Sequence, residues 1–389
     1  MLDFERIIQD LQTPAAAPLH ARLRGAIQEQ LMDGTLQRGE ALPSERALRE
    51  KLGISRATVR QAIKSLINDG YLKSVVGAGT FVLGPKQASP HNTLIGIIVP
   101  DSNYYIYYPE LASSLSYGLR NAGYRVDTSI HNERQQTLSE IVAGLLAQEV
   151  AAVVIVAPTQ HDDYHIIRQL QSKGVIVMLL TRYFDNFEKI DYIGADNQGI
   201  GKKATQHLID LGHTGIVHVA ASKTSTAFDR ATGYVQAMQA AGLVPQIFIA
   251  PDEPSAFPED LNLMPYVLKI EPTQLWERVV KREITAVFTF NDEIAGWVQK
   301  EIRKFNLTIP HDLSLISVDN MPYAGFFDTP LTTFALPGEE MGKQTADLLL
   351  RRLAGEAFPP QYILLPARFV ERLSTDAPPQ KVATLDSPH

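Results

Sequence analysis

The 389-residue chain contains no cysteine. That absence excludes a disulfide framework and any metal or nucleophile site built on sulfur, and it fits a reducing compartment. Long apolar runs are missing too. The longest, 94–100 and 150–158, fall far short of the ~20 residues a membrane-spanning helix needs. Met1-Leu2-Asp3-Phe4-Glu5-Arg6 carries acids with no apolar stretch behind it, so no secretory signal is expected. The expectation is a cytoplasmic protein without membrane contact. Signatures of catalysis are also lacking. His161, His165, His207, His213 and His218 are scattered without HExxH or paired metal spacing. The Gly-x-Gly triplets at Gly77 and Gly199 do not extend to GxGxxG, and neither GxSxG nor a P-loop occurs. No catalytic residue, metal site or cofactor is expected.

What is present is a folded composition, 45% hydrophobic and 20% charged, in a chain too long for one typical core. The net charge of −7 conceals an asymmetry. Residues 1–84 hold 11 Lys and Arg against 9 Asp and Glu, whereas the rest holds 25 against 34. Within 55–68 lie Arg56, Arg60 and Lys64 and no acid. An acidic body with one locally basic helix suits a protein that meets DNA at one end.

Leu19, Leu23, Ile27 and Leu31 recur every four residues, which predicts an amphipathic helix over 18–33, closed by Gly34. Pro43-Ser44 opens a second helix with Ser44 as N-cap, and Gly53 ends it. Ser55 is placed to cap a third. Its Val59, Ala62, Ile63, Leu66 and Ile67 form one buried stripe. Its other face carries Arg60, Gln61, Lys64, Ser65 and Asn68, with Arg56 and Thr58 in the first turn. Residues 71–75 and 80–83 then read as two short strands around Gly77-Ala78-Gly79. Two helices joined by a tight glycine turn, followed by a hairpin, describe a winged helix-turn-helix. An Arg at the start of the second helix can bind guanine O6 and N7 in the major groove. Taken from single residues, the same pattern also fits a small helical bundle with a solvated basic face.

The whole arrangement distinguishes the two. Residues 18–82, with Leu42-Pro43-Ser44-Glu45, Ser55-Arg56-Ala57-Thr58-Val59-Arg60 and Gly77-Ala78-Gly79-Thr80-Phe81-Val82, closely resemble the head of the GntR (gluconate-repressor) family. The resemblance implies that Arg46, Ser55, Arg56, Thr58 and Arg60 contact DNA, with Gly77 at the wing tip and Lys64 on the same helix face. Wings of that family often carry polar or basic residues around the first glycine. Here Val76 and Ala78 stand there, which implies minor-groove contact through the backbone alone, or only weak contact.

The stretch 84–93, rich in linker residues, marks the boundary. The expected organisation is a head at 1–84, a linker at 85–93, a core at 94–374 and a tail at 375–389. In the core, candidate strands at 94–99, 124–130, 151–156, 175–180, 216–219, 286–290 and 315–318 alternate with helices at 109–122, 137–148, 198–211, 293–305 and 339–353. Such alternation predicts parallel sheets with helices on both faces, too long for one sheet and so divided into two lobes. Ligands in such folds sit at the carboxyl ends of the strands.

From 94 to 374 the chain resembles the ligand-binding core of the LacI/GalR (lactose and galactose repressor) family, a relative of periplasmic sugar-binding proteins. The carriers are IGIIVPDSN from Ile95, DYIGADNQGIGKKATQHLIDLGHTGIVHVA from Asp191, DRATGYVQAMQAAGL from Asp229, TAVFTFNDEIAGWV from Thr285, IPHDLSLISVDN from Ile309 and TPLTTFALPGEEMGKQTADLLL from Thr329. The resemblance weakens around 244–281. A GntR-type head on a LacI-type core is the pairing found in the arabinose-repressor group. The fold class this implies is α/β: an N-terminal winged helix-turn-helix plus a two-lobed, periplasmic-binding-protein-like α/β core.

Tyr104, Tyr105, Tyr107 and Tyr108 cluster after the first core strand. Their rings suit a sugar face or the lining of a cleft, with a dimer or lid contact as the lesser alternative. By resemblance, Tyr107, Tyr108, Arg182, Arg230, Asn291 and Asp319 fall on effector-contacting positions. Asp292 reads as a helix N-cap, and Thr181 stands where the family often has an acid. The function implied is a sequence-specific transcriptional regulator, a repressor released by a small sugar or sugar-derived effector. Its partners would be double-stranded operator DNA, that sugar effector and a second copy of the chain in a homodimer. A sugar-binding protein without DNA function leaves the head unexplained. An architectural DNA protein leaves the large body unexplained.

Overall fold

The computed structural model describes residues 2–12, 17–68, 71–75, 79–83, 93–100, 107–131, 137–157, 164–184, 189–220, 224–251 and 263–379. The head contains α1 (Phe4–Gln12), α2 (Leu19–Met32), α3 (Glu45–Leu52), α4 (Arg56–Asn68) and an antiparallel hairpin of β1 (Leu72–Val75) and β2 (Gly79–Val82). Helices α2, α3 and α4 lie where the apolar spacing puts them. Helix α1 is an addition that the periodicity did not mark, and its Ile7 packs into the head's core with Leu23, Ile27, Leu31, Leu48, Val59, Ala62 and Leu66. The linker residues 84–92 and the wing tip, Gly77 included, lie outside the described residues.

The core is two lobes, each with six sheet strands among the described residues. The first lobe runs through β3 (Leu94–Pro100), α5 (Tyr107–Asn121), β4 (Arg125–His131), α6 (Leu138–Ala147), β5 (Ala152–Ile155), α7 (Tyr164–Ser172), β6 (Ile176–Leu180) and β7 (Asp191–Ala195). The chain then crosses into the second lobe. That lobe holds α8 (Asn197–Asp210), β8 (Ile216–Ala220), α9 (Ser225–Ala240), β9 (Ile247–Ile249), α10 (Pro272–Val280), β10 (Ala286–Thr289), α11 (Asp292–Arg303), β11 (Ser314–Asp319) and β12 (Thr332–Ala335). It returns to the first lobe for α12 (Gly338–Leu353) and β13 (Tyr362–Leu365), and crosses once more for β14 (Arg368–Val370). The sheet orders are β13-β7-β6-β5-β3-β4 and β14-β12-β11-β10-β8-β9, parallel throughout except for the β12–β14 pair. Each sheet is apolar on both faces, as a parallel sheet buried by helices must be. In the first lobe Ile95, Ile97 and Val99 face α5 and α12, while Ile98 faces α6 and α7.

The helices at 109–122, 137–148, 198–211, 293–305 and 339–353 are found, each within two residues of its expected ends. Strands β7, β9, β12, β13 and β14 and helices α7, α9 and α10 were not among the candidates. They are short or lack a clean period. β7, Asp-Tyr-Ile-Gly-Ala, is held between β13 and β6 by its neighbours rather than by propensity.

One helix crossing positions the cleft described below. A Cβ on Gly201 of α8 would stand 2.1 Å from the Arg230 carbonyl oxygen of α9, and one on Gly233 would stand 2.1 Å from that of Gln198. Both atoms met are backbone, so no side chain can swing aside. Gly201→Ala or Gly233→Ala is expected to cost ~1–3 kcal/mol by overpacking. The midpoint of urea unfolding measures this, and an unchanged midpoint would show that the two helices can separate freely.

Candidate nucleic-acid interface and effector cleft

At the head, each helix end is built from the residues its sequence suggests. Ser44 Oγ accepts from the Ala47 amide at 3.2 Å, and Gly53 closes α3 in the left-handed region at φ 66°. Ser55 Oγ accepts from the Thr58 amide at 3.1 Å and bonds the Thr58 hydroxyl at 2.8 Å, capping α4. Val59, Ala62, Ile63 and Leu66 are buried, which turns Arg56, Arg60 and Lys64 outward. The side chains of Arg46, Arg56 and Arg60 are 83%, 71% and 69% exposed. Arg46 Nε pairs with Glu50 at 3.0 Å.

The sequence reading missed Glu45. Its carboxylate lies between the two arginines of α4, 3.6 Å from Arg56 Nε and 3.7 Å from Arg60 Nε. Nothing in the linear spacing signals it, because the contact exists only once α3 crosses α4. Exposed pairs of this kind are weak, about 0–1 kcal/mol, so the guanidiniums can leave Glu45 for a nucleic-acid acceptor at small cost.

The second site lies where the strands of both lobes end. Arg230 projects from α9 and is buried. Its Nε donates to Asn197 Oδ1 at 2.9 Å, its Nη1 donates to the Phe290 carbonyl at 2.6 Å, and its guanidinium lies 4.6 Å from the Phe290 ring centroid. Its Nη2 stands 3.8 Å from Asp319 Oδ1 at the end of β11. The Asp319 side chain is 6% exposed, and its backbone is in the strained positive region at φ 112°. Burial pushes the Asp319 carboxyl up to about 7, opposed by Arg230 and Arg182 and reinforced by Asp292 and Glu293. No hydrogen bond fixes its oxygens among the described residues. A buried carboxylate without donors is an acceptor held ready.

The N-cap expected at Asp292 falls instead on Asn291. The N-cap of α11 is Asn291, whose Oδ1 accepts from the Ile294 amide at 2.9 Å. This leaves its Nδ2 as the group that can face a ligand. Asp292 is the first helical residue, and its carboxylate accepts from the Met321 amide at 2.7 Å and from Thr333 Oγ1 at 2.8 Å. Burial pushes its carboxyl up to about 6. The expected N-cap at Asp292 is therefore corrected: an extended residue must precede the helix, and that residue is Asn291 at φ −149°.

Arg182 follows β6 and is buried within range of Asp319. Thr181, at the same strand end, sits at φ 62° with a buried Oγ1 that has no hydrogen-bond partner among the described residues. Tyr107 and Tyr108 occupy the first turn of α5 rather than a loop. Their side chains, and all of Tyr104 and Tyr105, lie outside the described residues. Arg182 of the first lobe thus meets the Arg230–Asp319 pair of the second, and Asn291 directly follows the Phe290 whose carbonyl Arg230 holds. A contact the sequence did not reveal bridges them: Tyr183 donates from its amide to Ser225 Oγ and from its hydroxyl to Asp229 Oδ1, both at 3.0 Å. Burial pushes Asp229 up to about 6.

Two histidines of the second lobe are buried in its core. His218 is enclosed by Phe288 and Tyr234 with its Nδ1 at 2.9 Å from the Phe288 carbonyl, and burial pushes it down to about 3. His213 bridges Thr285 Oγ1 and the Asp376 carbonyl, both at 2.8 Å.

Residues 19–82 match the family of bacterial regulatory proteins, gntR family, and residues 205–375 match the periplasmic binding protein-like domain. The arabinose metabolism transcriptional repressor of Geobacillus stearothermophilus is 26% identical over 86% of this chain and 91% of its own length. Among solved structures, a LacI family transcriptional regulator from Enterococcus faecium with bound ribose superposes with a TM-score of 0.58 at 25% identity. It covers 73% of this chain and 99% of its own. The complex of the transcriptional regulator CelR with cellobiose superposes with a TM-score of 0.58 at 22% identity, covering 85% of this chain and 94% of its own. Among the described residues no helix is long and apolar enough to cross a membrane.

Proposed function

We propose that this chain, which joins a GntR-type winged helix-turn-helix head to a LacI-type effector core, is a cytoplasmic transcriptional repressor that releases its operator when a small neutral sugar fills the cleft. The observation that carries the reading is the buried Arg230–Asp319 pair at 3.8 Å, facing Arg182 and Asn291 across converging strand ends. A carboxylate and an amide suit vicinal hydroxyls, because each can bridge two neighbouring groups. Arg230 already gives two donors to Asn197 and Phe290, which favours a neutral ligand over a sugar phosphate. Tyr107 and Tyr108 complete the effector set.

Arg46, Ser55, Arg56, Thr58, Arg60, Lys64 and Gly77 form the DNA-reading set. One short helix reads only a few base pairs, so two heads on a homodimer and a palindromic operator supply the rest. The test is operator affinity by fluorescence anisotropy with and without pentoses, hexoses and their phosphates. A neutral sugar should weaken binding, and operator DNA should weaken sugar binding by the same factor, a coupling of about 1–3 kcal/mol. Operator affinity unmoved by any sugar that shifts the melting temperature would end this reading.

Arg56→Ala or Arg60→Ala should cost roughly 1–3 kcal/mol of specific binding if the lost contact is bidentate to guanine. Lys64→Ala should weaken all sequences evenly. Equal discrimination between operator and random DNA in both arginine variants would remove them from the reading set.

A further inference from the structure

Helix α7 ends on Ser172 with Gly174 in the left-handed region at φ 77°. The Gly174 amide bonds the Gln171 carbonyl at 3.0 Å, and the Val175 amide bonds the Leu170 carbonyl at 3.1 Å. This Schellman arrangement satisfies part of the helix end and leaves carbonyl lone pairs at Gln171 and Ser172. The groups that meet them come from the head. Arg24 Nη2 of α2 donates to the Ser172 carbonyl at 3.0 Å, and Gln28 Nε2 donates to the Gln171 carbonyl at 3.0 Å. The same Gln28 Nε2 donates to the Tyr71 hydroxyl at 2.8 Å, so one amide joins head and lobe. Gln28 is 7% exposed, so its amide is buried within this junction. A cation at the negative end of a helix is the favourable polarity.

Two further contacts flank it. Glu29 pairs with Lys189 at 2.9 Å, just before β7. A Cβ on Gly34 would lie 3.2 Å from the Ala357 carbonyl oxygen in the loop before β13. A Cβ on Gly174 would meet the Tyr71 hydroxyl at 3.5 Å.

We propose that the base of the first lobe, made by the end of α7, Lys189 and Ala357, is a docking surface for this chain's own head, and that head and lobe move as one body. The docked segments lead into β6, β7 and β13. The opposite ends of β6 and β7 carry Thr181, Arg182 and the Asn197 that holds Arg230. Arg56 and Arg60 stay exposed while the head is docked. Docking therefore sets the bearing of α4 without covering it. The linker need only tether.

The native chain has no cysteine, so single labelling sites can be added cleanly. Spin labels at Ala57→Cys on α4 and Ala147→Cys on α6, diluted into unlabelled protein so that only distances within one chain are read, report the bearing directly. No DNA or sugar is needed, so the outcome is independent of the regulatory reading. The full chain should give one narrow distance distribution. Arg24→Glu, which sets a negative charge against the α7 carbonyls, should broaden it severalfold. Lys189→Glu, which leaves the head's sequence intact, should broaden it as well, and adding Glu29→Lys should narrow it again. A broad distribution in the parent chain overturns the proposal, and so does a narrow one that persists in both charge variants.

Discussion

Replacing Asp319 with asparagine should raise the melting temperature of the sugar-free protein and remove its response to sugar. The carboxyl is pushed up to about 7 because burial disfavours its charge. A folded-state value above the unfolded one means that the folded protein holds the proton more tightly. This group's contribution is therefore favourable below the unfolded value and is lost as pH rises through about 7. At pH 8 the ionised group is a strain on the fold, on the order of a few kcal/mol, and the neutral amide removes it. Sugar binding has the opposite sign. Hydroxyls donate to the ionised carboxylate, so affinity should fall as pH drops below about 7.

Hydrogen bonds to a charged acceptor are worth about 1.5–3 kcal/mol each. Losing one or two should weaken sugar binding about 100-fold. Differential scanning fluorimetry across pH, with and without sugar, reads both effects. Asp292, up at about 6, titrates nearby, so the Asp319 contribution is the difference between parent and variant. A variant that still gains stability with sugar as the parent does would place Asp319 outside the effector site.

Arg352→Ala should be among the most destabilising substitutions in the core, at about 3–5 kcal/mol. Arg352 on α12 holds Asp191 of β7 bidentately, Nε to Oδ2 at 2.8 Å and Nη2 to Oδ1 at 2.9 Å. It also donates to the Phe358 carbonyl at 2.6 Å and lies 3.7 Å from the Phe358 ring centroid. Asp191 accepts in addition from the Gln361 amide at 2.7 Å. One ion pair thus ties a helix, a central strand and the loop before β13. Removing the cation leaves a buried carboxylate uncompensated, which is the costly way to break such a pair. Arg352→Lys should recover little, because an ammonium cannot reproduce the fork. Denaturant unfolding followed by circular dichroism tests this, and a loss below about 1 kcal/mol would show that water enters and replaces the guanidinium.

The head was legible because its information is local. Caps, the glycine at 53 and the four-residue apolar spacing each fix structure within a few residues. The alternation in the core gave its class for the same reason. What the sequence hid is what depends on distant segments meeting. The Arg230–Asp319 pair joins positions far apart in the chain. Glu45 meets Arg56 and Arg60 only across a helix crossing. The shift of the N-cap from Asp292 to Asn291 turns on a single residue at a helix boundary, where pattern reading is weakest. No periodicity announces that α12 and β13 return to the first lobe, or that α2 of the head caps α7.

The return of α12 has a consequence for how the chain is made. As the polypeptide leaves the ribosome, the head can close its core early, since α1 through β2 supply all of it. The first lobe cannot. Ile95, Ile97, Val99, Leu111, Leu115 and Leu119 pack against Met341, Leu348 and Leu349 of α12. Until those residues emerge, α5 alone covers that face of its sheet. The second lobe already has β8 through β12 once Ala335 is made, so it matures before the lobe that precedes it. A nascent chain therefore carries a half-covered apolar sheet face through the synthesis of the whole second lobe, the condition under which chains aggregate or engage chaperones. A stop codon just after Ala335 would leave a formed head and most of one lobe, tethered to an apolar sheet face that α5 alone covers.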